Sequence, residues 1–141
     1  MEVDDYQTEN PPRRSKGEVH FAWVLEGRAV QDVWIVPRRE ERAGDLSKMT
    51  NLYGTTLRVW DPGIQAWRVT WTNPATGKQD HLIGRWSGKD VVQIGARTDG
   101  TPFRWSFTDI KPDSFRWLGE VLQPDGVTWK LGGECRSRRM K

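Results

Sequence analysis

Residues 101–121 alternate aromatic with polar side chains on both sides of a short turn. The first half reads TPFRWSFT (101–108) and the second reads SFRWLGEV (114–121). A period of two places successive side chains on opposite faces of a β-strand, so one face is polar and the other apolar. We therefore expect a β-hairpin whose apolar face carries Phe and Trp rings and points into an interior.

The same pattern continues along most of the chain. From residue 54 onward, turn signals such as Asp61-Pro62-Gly63 and Asp99-Gly100 recur about every 8 to 12 residues, which is typical of an all-β sandwich or barrel. Short turns join antiparallel neighbours, and closing such a sheet removes its exposed edges. The sequence therefore predicts an all-β, antiparallel up-and-down barrel of about 9–10 strands.

The chain length of 141 residues is typical of a single domain. We expect an N-terminal edge strand and a polar loop in residues 1–16, the barrel domain in 17–137 and a basic tail in 138–141. Residues 38–52 form a long connection, which we expect to be a mobile crossing loop, with an active lid as the alternative.

Charge and cysteine content narrow the class of protein. The net charge of +3 comes mainly from basic residues in 13–16 and 136–141, which favours solvated end segments over a nucleic-acid surface. A single cysteine, Cys135, excludes an internal disulfide and is typical of a reducing compartment. Without an apolar run long enough for a bilayer or a signal peptide, we expect a cytoplasmic protein that binds neither nucleic acid nor membrane.

Turn length decides which strand faces point inward. If Asp99-Gly100 is a two-residue turn, the paired inward residues are Ala96 with Phe103, Ile94 with Trp105, and Val92 with Phe107. Across Gly88-Lys89, the same face would place Arg85, Ile83 and His81 inside.

Two other hairpins add polar candidates. A turn at Glu26-Gly27 pairs Phe21 with Asp32 and places this carboxylate among aromatic rings. At residues 109–113, a five-residue connection pairs Phe107 with Trp117, whereas a two-residue turn pairs Phe107 with Arg116. Hydrophobic consistency favours the first pairing, and an inward Arg116 stays open as the alternative.

An interior Asp32 and His81, with Arg85 or Arg116 nearby, would form a polar cluster inside an apolar barrel. Such a cluster could orient a ligand or exchange a proton with it. The alternative is that Asp32 pairs with an arginine and only closes the core. The two His residues and Cys135 lack the spacing of metal ligands, so we expect no metal and no cofactor, and haem ligation by His81 is the weaker alternative.

Three segments resemble a known family. Residues 18–34, 53–62 and 107–117, together with Arg138-Arg139, are similar to a family of bacterial lipocalin-like proteins with no established reaction. The resemblance implies a calycin-type barrel, related in shape to lipocalins and fatty-acid-binding proteins. Family members usually have a further apolar segment before the first matching strand. The resemblance therefore implies that this chain has a shortened first strand or a truncated start, either of which would affect closure of the barrel.

The function that we expect is binding of a small, largely apolar or aromatic molecule inside the barrel. One alternative is an isomerase or cyclase in which Asp32 and His81 are catalytic, and another is a structural role with a homodimer formed through the first strand. The expected ligand-binding residues are Phe21, Trp23, Asp32, Trp34, Trp67, Trp71, His81, Arg85, Phe103, Trp105, Phe107, Arg116 and Trp117.

Overall fold

The computed structural model describes residues 1–8, 11–42 and 52–140, and about two thirds of these residues are in β-strands. The strands are β1 (Glu2–Gln7), β2 (Arg13–Val24), β3 (Ala29–Ile35), β4 (Tyr53–Asp61), β5 (Ala66–Thr72), β6 (Gln79–Ser87), β7 (Asp90–Ala96), β8 (Pro102–Lys111), β9 (Ser114–Leu122) and β10 (Trp129–Arg138). A four-residue helix, α1 (Arg39–Arg42), follows β3. The connection 38–52, predicted to be a mobile loop with a lid as the alternative, mostly lies outside the described residues.

The strands form a closed antiparallel barrel in which each strand pairs with its neighbours in sequence. This confirms the predicted up-and-down barrel, with ten strands among the described residues. Closure depends on β1, which pairs with β10 through Glu2 opposite Arg138 and with β2 through Glu2 opposite Glu18. The prediction of an N-terminal edge strand is therefore wrong, because β1 has a partner on both sides.

The strand after β1 also starts earlier than predicted. We expected a polar loop up to residue 16, but β2 already begins at Arg13. Arg14 and Lys16 alternate with Ser15 and Gly17 opposite β1, so a polar strand segment extends the barrel wall here. Within the described parts of the chain, no helix combines the length and apolar character that crossing a membrane would require.

The predicted pairing is confirmed in three hairpins, and in two of them the inward face is also as predicted. Across the β2–β3 connection, Phe21 pairs with Asp32 and Val19 with Trp34. Across the β8–β9 connection, Phe107 pairs with Trp117. Both inward faces are therefore as predicted, and the alternative of an inward Arg116 is wrong.

The predicted register at Asp99-Gly100 is wrong. Arg97 N donates to Thr101 O at 2.8 Å, so the hairpin closes around an odd number of residues, 98–100. The odd count moves each pair by one position, and Phe103 lies opposite Gly95 instead of Ala96. Ile94, expected inside, is consequently 48% exposed on the outer face.

Candidate ligand-binding cavity

One end of the barrel contains a cavity. Because neighbouring strands run in opposite directions, the β2–β3, β4–β5, β6–β7 and β8–β9 turns all lie at this end, which we call the mouth. The cavity, here the mouth cavity, has a volume of about 350 Å³. Pockets for small molecules typically measure about 300–1,000 Å³, so this one suits a small ligand.

The walls of the mouth cavity are apolar and come from inward positions on β2, β3, β5, β7, β8 and β9. They include Phe21, Val30, Trp67, Val69, Val91, Phe107 and Phe115. The aromatic rings support one another, since Phe115 makes edge contacts with Phe21 and Phe107 at centroid distances of 5.8 and 5.3 Å. Around the opening lie exposed residues that include Trp86, Ile110, Lys111 and Arg139.

The bottom of this cavity is polar and consists of Arg58, Asp32 and Gln93, here called the polar floor. Arg58 Nη1 lies 2.6 Å from Asp32 Oδ2 in an ion pair. Arg58 Nε donates to Gln93 Oε1 at 2.7 Å. Arg58 and Gln93 line the cavity, whereas the Asp32 side chain is 0% exposed and lies behind Arg58, whose side chain is 12% exposed.

Backbone contacts fix the polar floor in place. Asp32 Oδ1 accepts a hydrogen bond from Thr56 N at 3.0 Å, and Gln93 Nε2 donates to Trp105 O at 3.2 Å. The guanidinium carbon of Arg58 also lies 5.3 Å from the ring centroid of Phe107. Each buried charge thus has a partner, as a carboxylate in an apolar interior requires.

Below the polar floor, four tryptophans fill the barrel. Trp105 packs on Trp71 and Trp117 at centroid distances of 6.3 and 6.2 Å, and Trp34 packs on Trp117 at 6.3 Å. Only a small inner cavity of about 80 Å³ remains between them. The mouth cavity is therefore a cup with a polar bottom, closed underneath by an aromatic layer.

Comparison with known proteins does not identify a family for this chain. No protein-family model matches the chain, and no curated protein matches it either. The function is therefore argued from the cavity and its residues.

Most of the predicted aromatic site residues do face the interior. Phe21, Trp67 and Phe107 line the mouth cavity. Trp34, Trp71, Trp105 and Trp117 surround the inner cavity, together with Phe107. Phe103 packs against Val69 and Leu82 in the core, and Trp23 is 68% exposed.

The predicted polar cluster does not form. His81 and Arg85 lie on the outer face of β6, since the odd-length turn after β7 reversed the inward face of both strands. His81 Nδ1 lies 3.4 Å from Thr70 Oγ1, and Arg85 donates to the carbonyl oxygen of Ile64. The prediction that these side chains join Asp32 inside the barrel is therefore wrong.

Arg116 also lies outside, where it pairs with Glu134 at 2.8 Å. The alternative interpretation of Asp32, pairing with an arginine, describes the structure, although that arginine is Arg58. No three His, Cys, Asp or Glu side chains converge as metal ligands within residues 1–8, 11–42 and 52–140.

Sequence reasoning missed Arg58 and Gln93. Arg58 shares one face of β4 with Thr56 and Trp60, but the preceding 38–52 connection is too long to reveal which face points inward. Gln93 lies between Val92 and Ile94 in β7, and the predicted register that places these two residues inside puts Gln93 on the outer face. The signal that could have identified Gln93 was the turn Thr98-Asp99-Gly100, in which a glycine with positive φ closes an odd-length loop.

Proposed function

We propose that this barrel binds a small, largely apolar or aromatic molecule in the mouth cavity, as a lipocalin-like protein would. The observation that carries the proposal is the cup itself, which has apolar walls, a polar floor and an opening among exposed side chains. Membership of the bacterial lipocalin-like family belongs to the same proposal and rests on the sequence resemblance.

The driving force for binding would be burial of apolar surface. Each Å² of apolar surface removed from water contributes about 25 cal/mol. The rings of Phe21, Trp67, Phe107 and Phe115 offer faces and edges on which a flat or compact apolar molecule can pack. The cavity volume of about 350 Å³ limits the ligand to a small molecule.

Occupancy can be measured by tryptophan fluorescence, because Trp67 and Trp86 line the mouth cavity. We expect cyclohexanol, 1-decanol or 1-adamantanol to change the emission intensity or wavelength in a saturable way. Val30→Phe adds a ring to the cavity wall and should weaken binding of these probes by about tenfold or more, which is about 1.4 kcal/mol.

Val33→Phe is the matched control, since Val33 lies on the outer face of the same strand, opposite His20. This variant should bind the probes as the wild type does. If Val30→Phe also left the affinities unchanged, or if the emission did not respond to any of the three probes, the proposal would be wrong.

No specific observation among the described residues favours the alternative functions. An isomerase or cyclase that uses Asp32 and His81 needs both groups at one site, and these residues lie on opposite faces of the barrel wall. A homodimer through the edge of the first strand would need an unpaired edge, and β1 pairs on both sides. The cytoplasmic location remains an expectation from sequence.

A further inference from the structure

The polar floor has no net charge but retains unused hydrogen-bond donors. Asp32 and Arg58 neutralise each other at 2.6 Å, and Gln93 is an uncharged amide. The Nη2 group of Arg58 donates no hydrogen bond to any described residue, although Nε and Nη1 both do. A guanidinium group has no acceptor capacity, so only an acceptor can satisfy the remaining N–H groups.

We infer that the ligand is an uncharged molecule whose apolar body carries a carbonyl-type oxygen, which accepts a hydrogen bond from Arg58 at the bottom of the mouth cavity. The inference rests on the proposed function and specifies its ligand class. Hydrogen bonds from a charged donor are stronger than neutral ones, so one such oxygen adds both affinity and orientation.

Charge balance argues against an anionic ligand at this position. A carboxylate beside Arg58 would also lie close to Asp32, whose carboxylate is fully buried. Two carboxylates sharing one guanidinium group leave a net negative charge in an apolar cavity, and burying such a charge is strongly unfavourable. A ketone, ester or amide oxygen satisfies the same donors without adding charge.

The cations at the opening do not change this preference. Lys111 and Arg139 line the entrance but are exposed to solvent, where salt screens their charges. Arg139 also lies 3.7 Å from Asp113. These side chains can attract an anion towards the mouth, but they do not compensate a charge at the polar floor.

A matched set of three probes tests the inference by equilibrium dialysis at pH 7. These are 2-acetylnaphthalene, the acceptor-free 2-isopropylnaphthalene and the anionic 2-naphthoate. We expect the wild type to bind the ketone about tenfold or more tightly than the hydrocarbon. The naphthoate should bind most weakly.

Replacing the buried carboxylate should reverse the preference for charge. In Asp32→Asn the amide oxygen can still accept the Thr56 N–H, but Arg58 gains an uncompensated positive charge. The naphthoate should then bind about tenfold or more tightly than in the wild type. Glu120→Gln is the control, because it removes the negative charge that pairs with Arg104 on the outer face and should leave all three affinities unchanged.

Equal binding of the ketone and the hydrocarbon by the wild type would overturn the inference while leaving the proposed function intact. Preferential binding of the naphthoate by the wild type would also overturn it. Failure of all three probes to bind would overturn the proposed function itself. The wild-type comparison decides the matter even if Asp32→Asn does not fold.

Discussion

Asp32 is fully buried, and its surroundings explain why a carboxylate is tolerated there. Both oxygens have partners, one in the Arg58 guanidinium group and the other in the Thr56 backbone N–H. Removing one partner of a buried ion pair typically costs about 3–5 kcal/mol, because the remaining charge is left uncompensated. Replacing both partners by neutral groups of similar shape costs much less.

We therefore expect Arg58→Met to lower the free energy of unfolding by about 3–5 kcal/mol. The double variant Asp32→Asn/Arg58→Met should recover most of this loss, since no buried charge remains. Urea denaturation of the two variants measures both effects. Arg68→Met is the control, because its ion pair with Asp61 at 2.7 Å is exposed and its loss should change stability little. An Arg58→Met protein as stable as this control would contradict the account.

At the scale of single residues, the sequence predicted one of the three residues of the polar floor. Asp32 could be placed inside because the β2–β3 connection has an even number of residues, as predicted, so Asp32 pairs with Phe21. Its partner Arg58 could not be placed inside, since the length of the 38–52 connection does not indicate which residues of β3 and β4 pair. A long loop removes the information that alternation alone would supply.

At the scale of elements, one additional residue in the β7–β8 turn determines which faces of β6 and β7 point inward. The pairing across Gly88-Lys89 was predicted correctly, with Arg85 opposite Val92. The prediction of a two-residue β7–β8 turn nevertheless assigned the wrong inward face to β6 and β7, because side chains alternate with a period of two. Both faces of β7 carry apolar residues, so its composition could not reveal the error.

The outer faces of β9 and β10 carry a second charged group, which should give stability a dependence on pH. The hydrogen bond from Arg116 to Glu134 at 2.8 Å, assisted by Arg136, holds the pKa of the Glu134 carboxyl below its ordinary value of 4.5. A lowered pKa in the folded state stabilises the protein above the unfolded-state pKa. This contribution is lost as the pH falls through the folded-state pKa.

Glu134→Gln should therefore be less stable than the wild type at pH 7, by about 1 kcal/mol or less for a pair at the surface. The difference should shrink as the pH falls below about 4.5, when the wild-type carboxyl also becomes neutral. Urea denaturation between pH 7 and pH 3 measures the difference, and added salt should reduce it at pH 7. A difference that stayed constant over this range would show that charge is not its source.

At the scale of the whole molecule, closure depends on the contact between β1 and β10. Cys135 on β10 faces inward, and its Sγ lies 3.4 Å from Asp5 Oδ1 on β1. Burial, together with the Asp5 carboxylate, raises the pKa of this thiol well above its ordinary value. Because it is the only cysteine in the sequence, it reports specifically on the β1–β10 contact.

We expect the native protein to react slowly with 5,5′-dithiobis(2-nitrobenzoate) at pH 8, since a buried protonated thiol is a poor nucleophile. Val3→Ser removes a buried side chain of β1 and should make Cys135 react about tenfold or more faster. Asp4→Ser, on the exposed face of the same strand, should have little effect. Wild-type reactivity equal to that of a free thiol would mean that the barrel is open at this contact.

Because β1 and β10 are neighbours in the barrel, the barrel can close only after β10 has been synthesised. Each hairpin can pair as soon as its second strand leaves the ribosome, but β1 must wait for a strand about 130 residues further along. Until β10 emerges, β1 and β9 have unpaired edges that can associate with other chains. The nascent chain is thus exposed to misassembly until β10 has emerged and paired with β1.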